Sequence, residues 1–330
     1  MEDAKLMNRV GPFILLALLC APAAAPAQSF PARPVTLIVT AAAGGVTDVV
    51  ARAVGQRLSE RWGQQVVIEN RGGAGHILGA QAVARAAPDG HTLMVAEAAT
   101  YVINPNVLPR EKLGYDVERD LVHITGLVRI HHAIVTTPSL PVSSLGELIA
   151  LAKEKPGTVT YGTAGVGSGP HLNVVRLEHA TGARFVAVHY RGATPALTDV
   201  IGGHTDMMLI SVGSVLGQRQ TGQVKMLAIG SERRLPSLPD VPSAGETVPG
   251  YTAGTWFGLS APAATPPEIV MKINSEVREI MTEPAIREQF VDRQLYEPMT
   301  SSPEEFTRFI RNEIQRWGAV IREQHLQIAH

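Results

Sequence analysis

The sequence is poorest in cysteine. Its 330 residues hold one, Cys20, inside an N-terminal leader. The chain left after processing would have no thiol nucleophile and no disulfide. Aromatic residues make up only 5%, too few for the stacking platforms that grip single-stranded nucleic acid. Charge of one sign is lacking as well. With 29 Lys and Arg against 30 Asp and Glu, the formal net charge is −1, which argues against a nucleic-acid or membrane-surface partner. The apolar run at residues 13–19 is too short to span a bilayer. There is no H-E-x-x-H, no cysteine pair and no G-K-[ST] loop. The 11 histidines are scattered, and the adjacent His131 and His132 would point apart on a strand. Neither a metal nor a cofactor is expected.

What is present begins with the leader. Arg9 supplies the charged region, residues 13–19 the apolar region, and Ala25-Pro26-Ala27 the small residues of a cleavage site. Residues 1–27 therefore read as a signal peptide, with Met7 an alternative start, and the protein as exported and periplasmic. Beyond it, short β-rich runs at 35–39, 65–69, 92–96, 134–136, 158–161, 185–189, 206–210 and 225–229 alternate with helical patterns such as 47–62 and 77–87. That alternation predicts an α/β architecture with sheets covered by helices. Ser144–Glu147, Thr265–Glu268 and Ser302–Glu305 mark helix starts. Phe306, Phe309, Ile310, Ile314, Trp317 and Ile321 keep helical spacing and form a core-facing stripe. A proline-rich connection at 236–249, and a second connection near 129–132 between the runs "HITGLV" and "AIVTT", suggest two crossings. One lobe would comprise 28–130 and 252–330, the other 131–251, with a ligand between them.

Four stretches carry candidate chemistry. In "TAAAGGVTD", Ala43, Gly44 and Gly45 aim amides at the start of a helix, with Thr47 and Asp48 in its first turn, Asp48 either capping the helix or accepting from a ligand donor; helix N-termini bind anions. In "ENRGGAGHILG", Gly73, Gly75 and Gly79 with Glu97 resemble a dinucleotide fingerprint, but the export signal speaks against a nicotinamide cofactor. The same turn, Gly75–His76, serves equally for a small anion or for close helix–strand packing. In "YGTAGVGSGPH", Ala164, Gly165, Ser168 and His171 form a third anion-ready turn. It is not a nucleophile elbow, because Val166 and Pro170 stand where G-x-S-x-G needs glycine. In "YRGATPALTDVIGGHTDMMLIS", Tyr190, Arg191, Gly192 and Ala193 follow a strand, Arg191 being suited to a carboxylate. Asp206 and Ser211 flank the run "MMLI". Arg71 and Arg191 are the cations beside these turns.

"VTYGTAGVGSGPH", "YRGATPALTDVIGGHTD", "LPDVPSAGE" and the first-half stretch "PVTLIVTAAAGGVTDVVARAVGQRLSERWG" together resemble the Bug-type extracytoplasmic solute-binding receptors of tripartite tricarboxylate transporters. The resemblance covers nearly the whole mature chain. It implies a two-lobed, Venus-flytrap periplasmic binding protein with a mixed or parallel sheet in each lobe and two hinge crossings. It implies a small carboxylate ligand at the 43–48, 72–76, 165–171 and 190–193 turns, transporter membrane subunits as partners, no catalytic residues, and a monomer. "TAAAGG" stands for the usual "PFxAGG", His76-Ile77 for "GN" and "MMLISVG" for "FDNLP". Three alternatives stand beside it: an exported dinucleotide enzyme, a hydrolase using Ser168 and His171, and a sensor presenting its closed form to a signalling partner.

Overall fold

Among the described residues ten strands form one sheet: β1 (Val35–Val39), β2 (Val66–Asn70), β3 (Thr92–Glu97), β4 (Leu121–Thr136), β5 (Thr160–Thr163), β6 (Val186–His189), β7 (Met207–Ser211), β8 (Lys225–Ile229), β9 (Gly254–Pro262) and β10 (Glu297–Pro298). The principal helices are α1 (Val46–Trp62), α2 (Ile77–Ala84), α3 (Leu145–Glu154), α4 (Gly169–Thr181), α5 (Ala193–Ile201), α6 (Pro267–Ile280) and α7 (Pro303–Glu323). This computed structural model describes residues 30–165, 168–190 and 192–323; the leader and Arg191 lie outside the described residues. Among those described, no helix is long and apolar enough to cross a membrane.

The sheet runs β2-β1-β3-β9-β4-β7-β5-β6, with β8 and β10 also on β4. Parallel pairs join β2, β1 and β3, and again β6, β5 and β7, while β9 and β4 run antiparallel. The sheet is therefore mixed. Side-chain alternation feeds a core on each face. In the first half, Leu37, Val39, Leu93 and Val95 pack on one side and Ile38, Met94 and Ala96 on the other. In the second half, Ile134, Met207 and Leu209 face one core and Ala133, Val135, Met208 and Ile210 the opposite one. The stripe of α7 packs as expected: Phe306, Ile310, Trp317 and Ile321 are buried, with Phe309 and Ile314 beside them.

The connection expected near 129–132 is not a loop. Residues 121–136 form one 16-residue strand. Its first part pairs with β9 through His131, and its last residues pair with β7 and β8. Register shifts at His123/Thr125, Gly126/Arg129 and Ile134/Val135 allow such a strand to bend without breaking. The chain passes back between the halves at Ala253–Gly254. There, three segments hold one another in a ring of backbone hydrogen bonds. His132 N–H donates to Ala253 O (2.9 Å), Ala253 N–H to Gly230 O (2.9 Å), and Gly230 N–H to His132 O (2.8 Å). Glycine is required at this approach, because a Cβ on Gly254 would stand 2.2 Å from the Ile130 carbonyl oxygen.

Strand β9 was not anticipated, since its "GTWFGLSAP" lacks alternation and carries two glycines. It is buried on both faces, and a Cβ on Gly258 would meet the Phe306 ring at 2.4 Å. Helix starts differ in detail. Ser144 accepts from Glu147 N–H as expected, but Glu147 reaches back to the amide of Ser143. Ser302 and Glu305 form the full reciprocal box. Thr265 does not cap α6: its hydroxyl donates to Pro262 O, and Pro266 occupies the cap position.

Candidate functional site

Strand ends and the glycine turns that follow them build the site. On the first half, the β1–α1 turn (40–45) and the β2–α2 turn (71–76) lie against each other. A Cβ on Gly72 would approach Ala42 N at 3.0 Å, and one on Gly79 would approach the Thr40 backbone at 3.0 Å. Gly44 is left-handed (φ 83°), and Gly45 begins α1 with no side-chain cap. Ala42 to Gly45 are exposed, so amides at this helix start are open to a ligand.

Asp48 is not open in the same way. It is buried, and its carboxylate accepts from Gly44 N–H, Arg52 Nε and Asn70 Nδ2, each at 2.9 Å. Burial works to raise its pKa, but these donors outweigh it and hold the group below the usual carboxylate range. Asp48 braces the turn and leaves the ligand face to the backbone. Thr47 beside it is also buried.

Across the second turn, Gly75 (φ 63°) and His76 (φ 76°) both adopt left-handed backbone. A non-glycine residue there needs a local anchor. The His76 side chain provides one at each ring nitrogen: Nδ1 lies 2.8 Å from Thr40 O, and Nε2 lies 2.9 Å from Glu97 Oε1. Both neighbours are acceptors, which only the doubly protonated ring satisfies. Burial pulls the His76 pKa down, yet the Glu97 hydrogen bond and charge, with the Thr40 carbonyl, carry it above its ordinary value. Asn104 Nδ2 donates to Gly75 O (2.6 Å) and fixes the turn from outside. Glu97, the acidic end of the dinucleotide-like pattern, is thus the partner of His76.

On the second half, α4 begins at Ser168, whose N-cap position carries no side-chain cap. Its buried hydroxyl has no hydrogen-bond partner among the described residues. Ser168 N–H donates to Gly165 O (3.2 Å), folding the turn back on the helix. Tyr190 N–H donates to Thr163 O (3.0 Å), which brings Tyr190 beside the 163–165 turn. Gly192 (φ 120°) begins α5, again without a side-chain cap. Three helices, α1, α4 and α5, therefore start bare at the glycine turns, whereas α3 and α7, away from them, carry serine caps. Ala164 and Ala193 are half-buried small residues within these turns.

The two halves meet at His132. It stands opposite Ser211 in the β4–β7 ladder, and a Cβ on Gly169 would lie 3.7 Å from its Cε1. Its Nδ1 is 3.5 Å from Asn173 Nδ2, and Asn173 also donates to Gly254 O at 3.1 Å. Burial, reinforced by neighbouring His131, lowers the His132 pKa to about 4, with the charge of Glu97 opposing it. The ring is neutral near pH 7. As strand geometry requires, His131 points the other way, to Glu297 (2.9 Å).

The structure gathers the sequence-predicted turns into two groups, 40–45 with 71–76 on the first half and 163–165 with Tyr190 on the second, with exceptions. Asp206 sits at the opposite, amino-terminal edge of β5 and β7, where its carboxylate accepts from the N–H and hydroxyl of Thr160 (both 2.7 Å). One strand length separates that edge from the turns, so it is a sheet brace. The Tyr190 hydroxyl turns to Asp199 (2.6 Å), so what that residue brings to the turn is its backbone. His171 stacks on Tyr161 and edges onto His189. Arg71 is paired with Glu69 (2.6 Å). His132, Asn173 and Asn104 were missed. The His131–His132 doublet was the available signal for the first, but it was weighed only as a metal site.

Comparison with known proteins places this geometry. Residues 50–326 match the tripartite tricarboxylate transporter family receptor, TctC. Protein BugT of Bordetella pertussis is 35% identical over 325 residues, 98% of each chain. Rpa4515 of R. palustris, solved with adipate, aligns with a TM-score of 0.78 at 32% identity, covering 90% of this chain and 98% of that one. MatC (Rpa3494) from Rhodopseudomonas palustris, solved with bound malate, aligns with a TM-score of 0.75 at 31% identity, covering 88% and 100%.

Proposed function

The chain belongs to the tripartite tricarboxylate transporter receptor family and shares its two-lobed periplasmic-binding-protein fold, and from that premise we propose that it captures a small organic carboxylate between its lobes and releases it unchanged to transporter membrane subunits. One lobe comprises 28–130 and 252–330, the other 131–251. The crossings are His131–His132 within β4 and the segment before Gly254. The protein acts in the periplasm after loss of residues 1–27, and it does no chemistry on its ligand.

The observation that carries this reading is the bare start of α4. A buried hydroxyl without a partner among the described residues, Ser168 Oγ, stands at an uncapped helix N-terminus against the neutral His132. A carboxylate oxygen there accepts from the hydroxyl and the helix-start amides; each charge-assisted bond contributes about 1.5–3 kcal/mol. The α1 start, where Asp48 holds the Gly44 N–H and Gly45 takes the cap position without a side-chain cap, offers its remaining first-turn amides for a second oxygen from the facing lobe. The His76–Glu97 pair is neutral overall when His76 is protonated, so it lines the first-lobe wall without repelling an acid. The relatives solved with adipate and malate support a carboxylate ligand of that size. Arg191, which lies outside the described residues, remains part of this proposal through sequence alone.

Isothermal titration against mono-, di- and tricarboxylates, adipate and malate included, tests the reading. At least one acid is expected to bind with a heat that disappears in Ser168→Phe. Absence of binding by every acid at millimolar concentration overturns it.

A further inference from the structure

Beside the two crossings lies a cavity of about 650 Å³. Both crossing segments line it, 129–131 and 252–256, together with the 230–236 loop, Arg176 of α4, and α7 through Phe309, Glu313, Arg316 and Trp317. None of the turn residues assigned to the carboxylate cleft contributes to its wall. Its size is that of a small-molecule site.

The charges of this wall do not balance. Five arginines and three glutamates line it. Arg129 lies 3.6 Å from Glu297, Arg316 lies 2.8 Å from Glu313, and Arg234 is held by Glu246 outside the cavity. Arg176 and Arg233 have no carboxylate in an ion pair with them among the described residues, and Glu232 is the one wall carboxylate likewise unpaired, which leaves the cations in excess. Arg176 is the better placed of the two. Its guanidinium lies 4.8 Å from the Trp317 ring centre and 5.7 Å from that of Tyr251. Among the described residues only Nη1 makes hydrogen bonds, to Thr252 O (3.0 Å) and Asn173 Oδ1 (3.4 Å). Of five N–H donors, at least three remain. Burial lowers its pKa to about 10, so it stays cationic at neutral pH. Trp256, which also lines the cavity, leaves its buried indole N–H without a partner among the described residues. The remaining wall includes the rings of Trp256, Phe309 and Trp317.

From this combination we infer a second ligand site, separate from the cleft, that takes an aromatic carboxylate: the acid group on Arg176 with Arg233 at the rim, the ring among Trp256, Phe309 and Trp317. A guanidinium with free donors matches a carboxylate, and an aromatic body suits the apolar rest of the wall. Because both lobes and both crossings form the wall, an occupant contacts the parts whose relative position defines the cleft. Its binding is therefore coupled to cleft occupancy, and the coupling is reciprocal.

The test uses benzoate and the Ser168→Phe protein, in which the cleft is filled. Two of the three tryptophans line the cavity, so intrinsic fluorescence reports on it alongside calorimetry. Benzoate is expected to bind the Ser168→Phe protein with a change in tryptophan emission. Adding Arg176→Gln should weaken that binding by about tenfold or more. Arg176 is well packed, so Arg233→Glu, at an exposed position, provides the independent check and should weaken binding by at least about threefold. No benzoate binding by the Ser168→Phe protein at millimolar concentration overturns the inference. So does binding that Arg233→Glu leaves unchanged.

Discussion

Acidification from pH 7 to pH 5 should destabilise this protein through His132, by an amount the structure sets. In the unfolded chain an imidazole titrates near 6.5. In the folded protein burial beside His131 brings His132 down to about 4. The sign follows: a folded pKa below the unfolded one means the unfolded state binds more protons as pH falls through 6.5. The stability contribution is present above about 6.5 and is lost progressively towards about 4. Between pH 7 and 5 that loss is about 2 kcal/mol for one such group. His123, also held at about 4 by burial, adds a similar loss. His76 does not obscure this, because its pKa is raised and its contribution is retained throughout the acid side of 6.5. Urea unfolding at both pH values, on wild type and His132→Gln, isolates the effect. Whatever the variant costs at pH 7, its further loss on going to pH 5 should be smaller than that of wild type by about 2 kcal/mol. Equal pH losses in the two proteins would refute the claim that this imidazole is held neutral where the lobes join.

Three other outcomes follow from the geometry. Replacing His76 with Asn should leave stability at pH 6 little changed in its pH slope but flatten the decline that wild type shows as pH rises above about 6.5, the window in which the His76⁺–Glu97 pair loses its proton; thermal melts across that range read it. Asp48→Ala strands Gly44 N–H, Arg52 and Asn70 and should cost about 2 kcal/mol in urea unfolding while weakening carboxylate binding, because the turn it braces presents the α1 amides. Gly254→Ala drives a Cβ towards the Ile130 carbonyl oxygen and should destabilise by about 2 kcal/mol or more, seen as a lowered urea midpoint with an unchanged slope; an unchanged midpoint would mean the crossing is looser than the ring of hydrogen bonds shows.

Periodicity made much of the fold legible, and two places show where it stopped. Strands β1 and β8 were read to the residue because aliphatic runs there are bounded by turn signals. Strand β4 was read as two runs with a connection. The chain near Arg129–His132 carries charge and imidazole, which looks like a break in a local window, yet ladder bonds from β9, β7 and β8 hold it extended. Strand β9 was hidden by Gly254 and Gly258, whose smallness serves the packing of Ile130 and Phe306 and leaves no alternation. At the site, glycine spacing found the turns because backbone freedom is written in residue type. It did not distinguish Asp48 and Asp206, which fold inward as braces, from groups facing the cleft, since orientation depends on partners such as Asn70 and Thr160 that are remote in sequence. His132 escaped for the same reason: its importance comes from what the second half places against it.

A 16-residue strand shared by both halves, and tied at His132 to the returning chain, leaves no loop between them at that crossing. Any rotation of one half against the other would have to be spread as torsion along extended backbone. The register shifts along it are where that torsion would be taken up with the fewest ladder bonds lost.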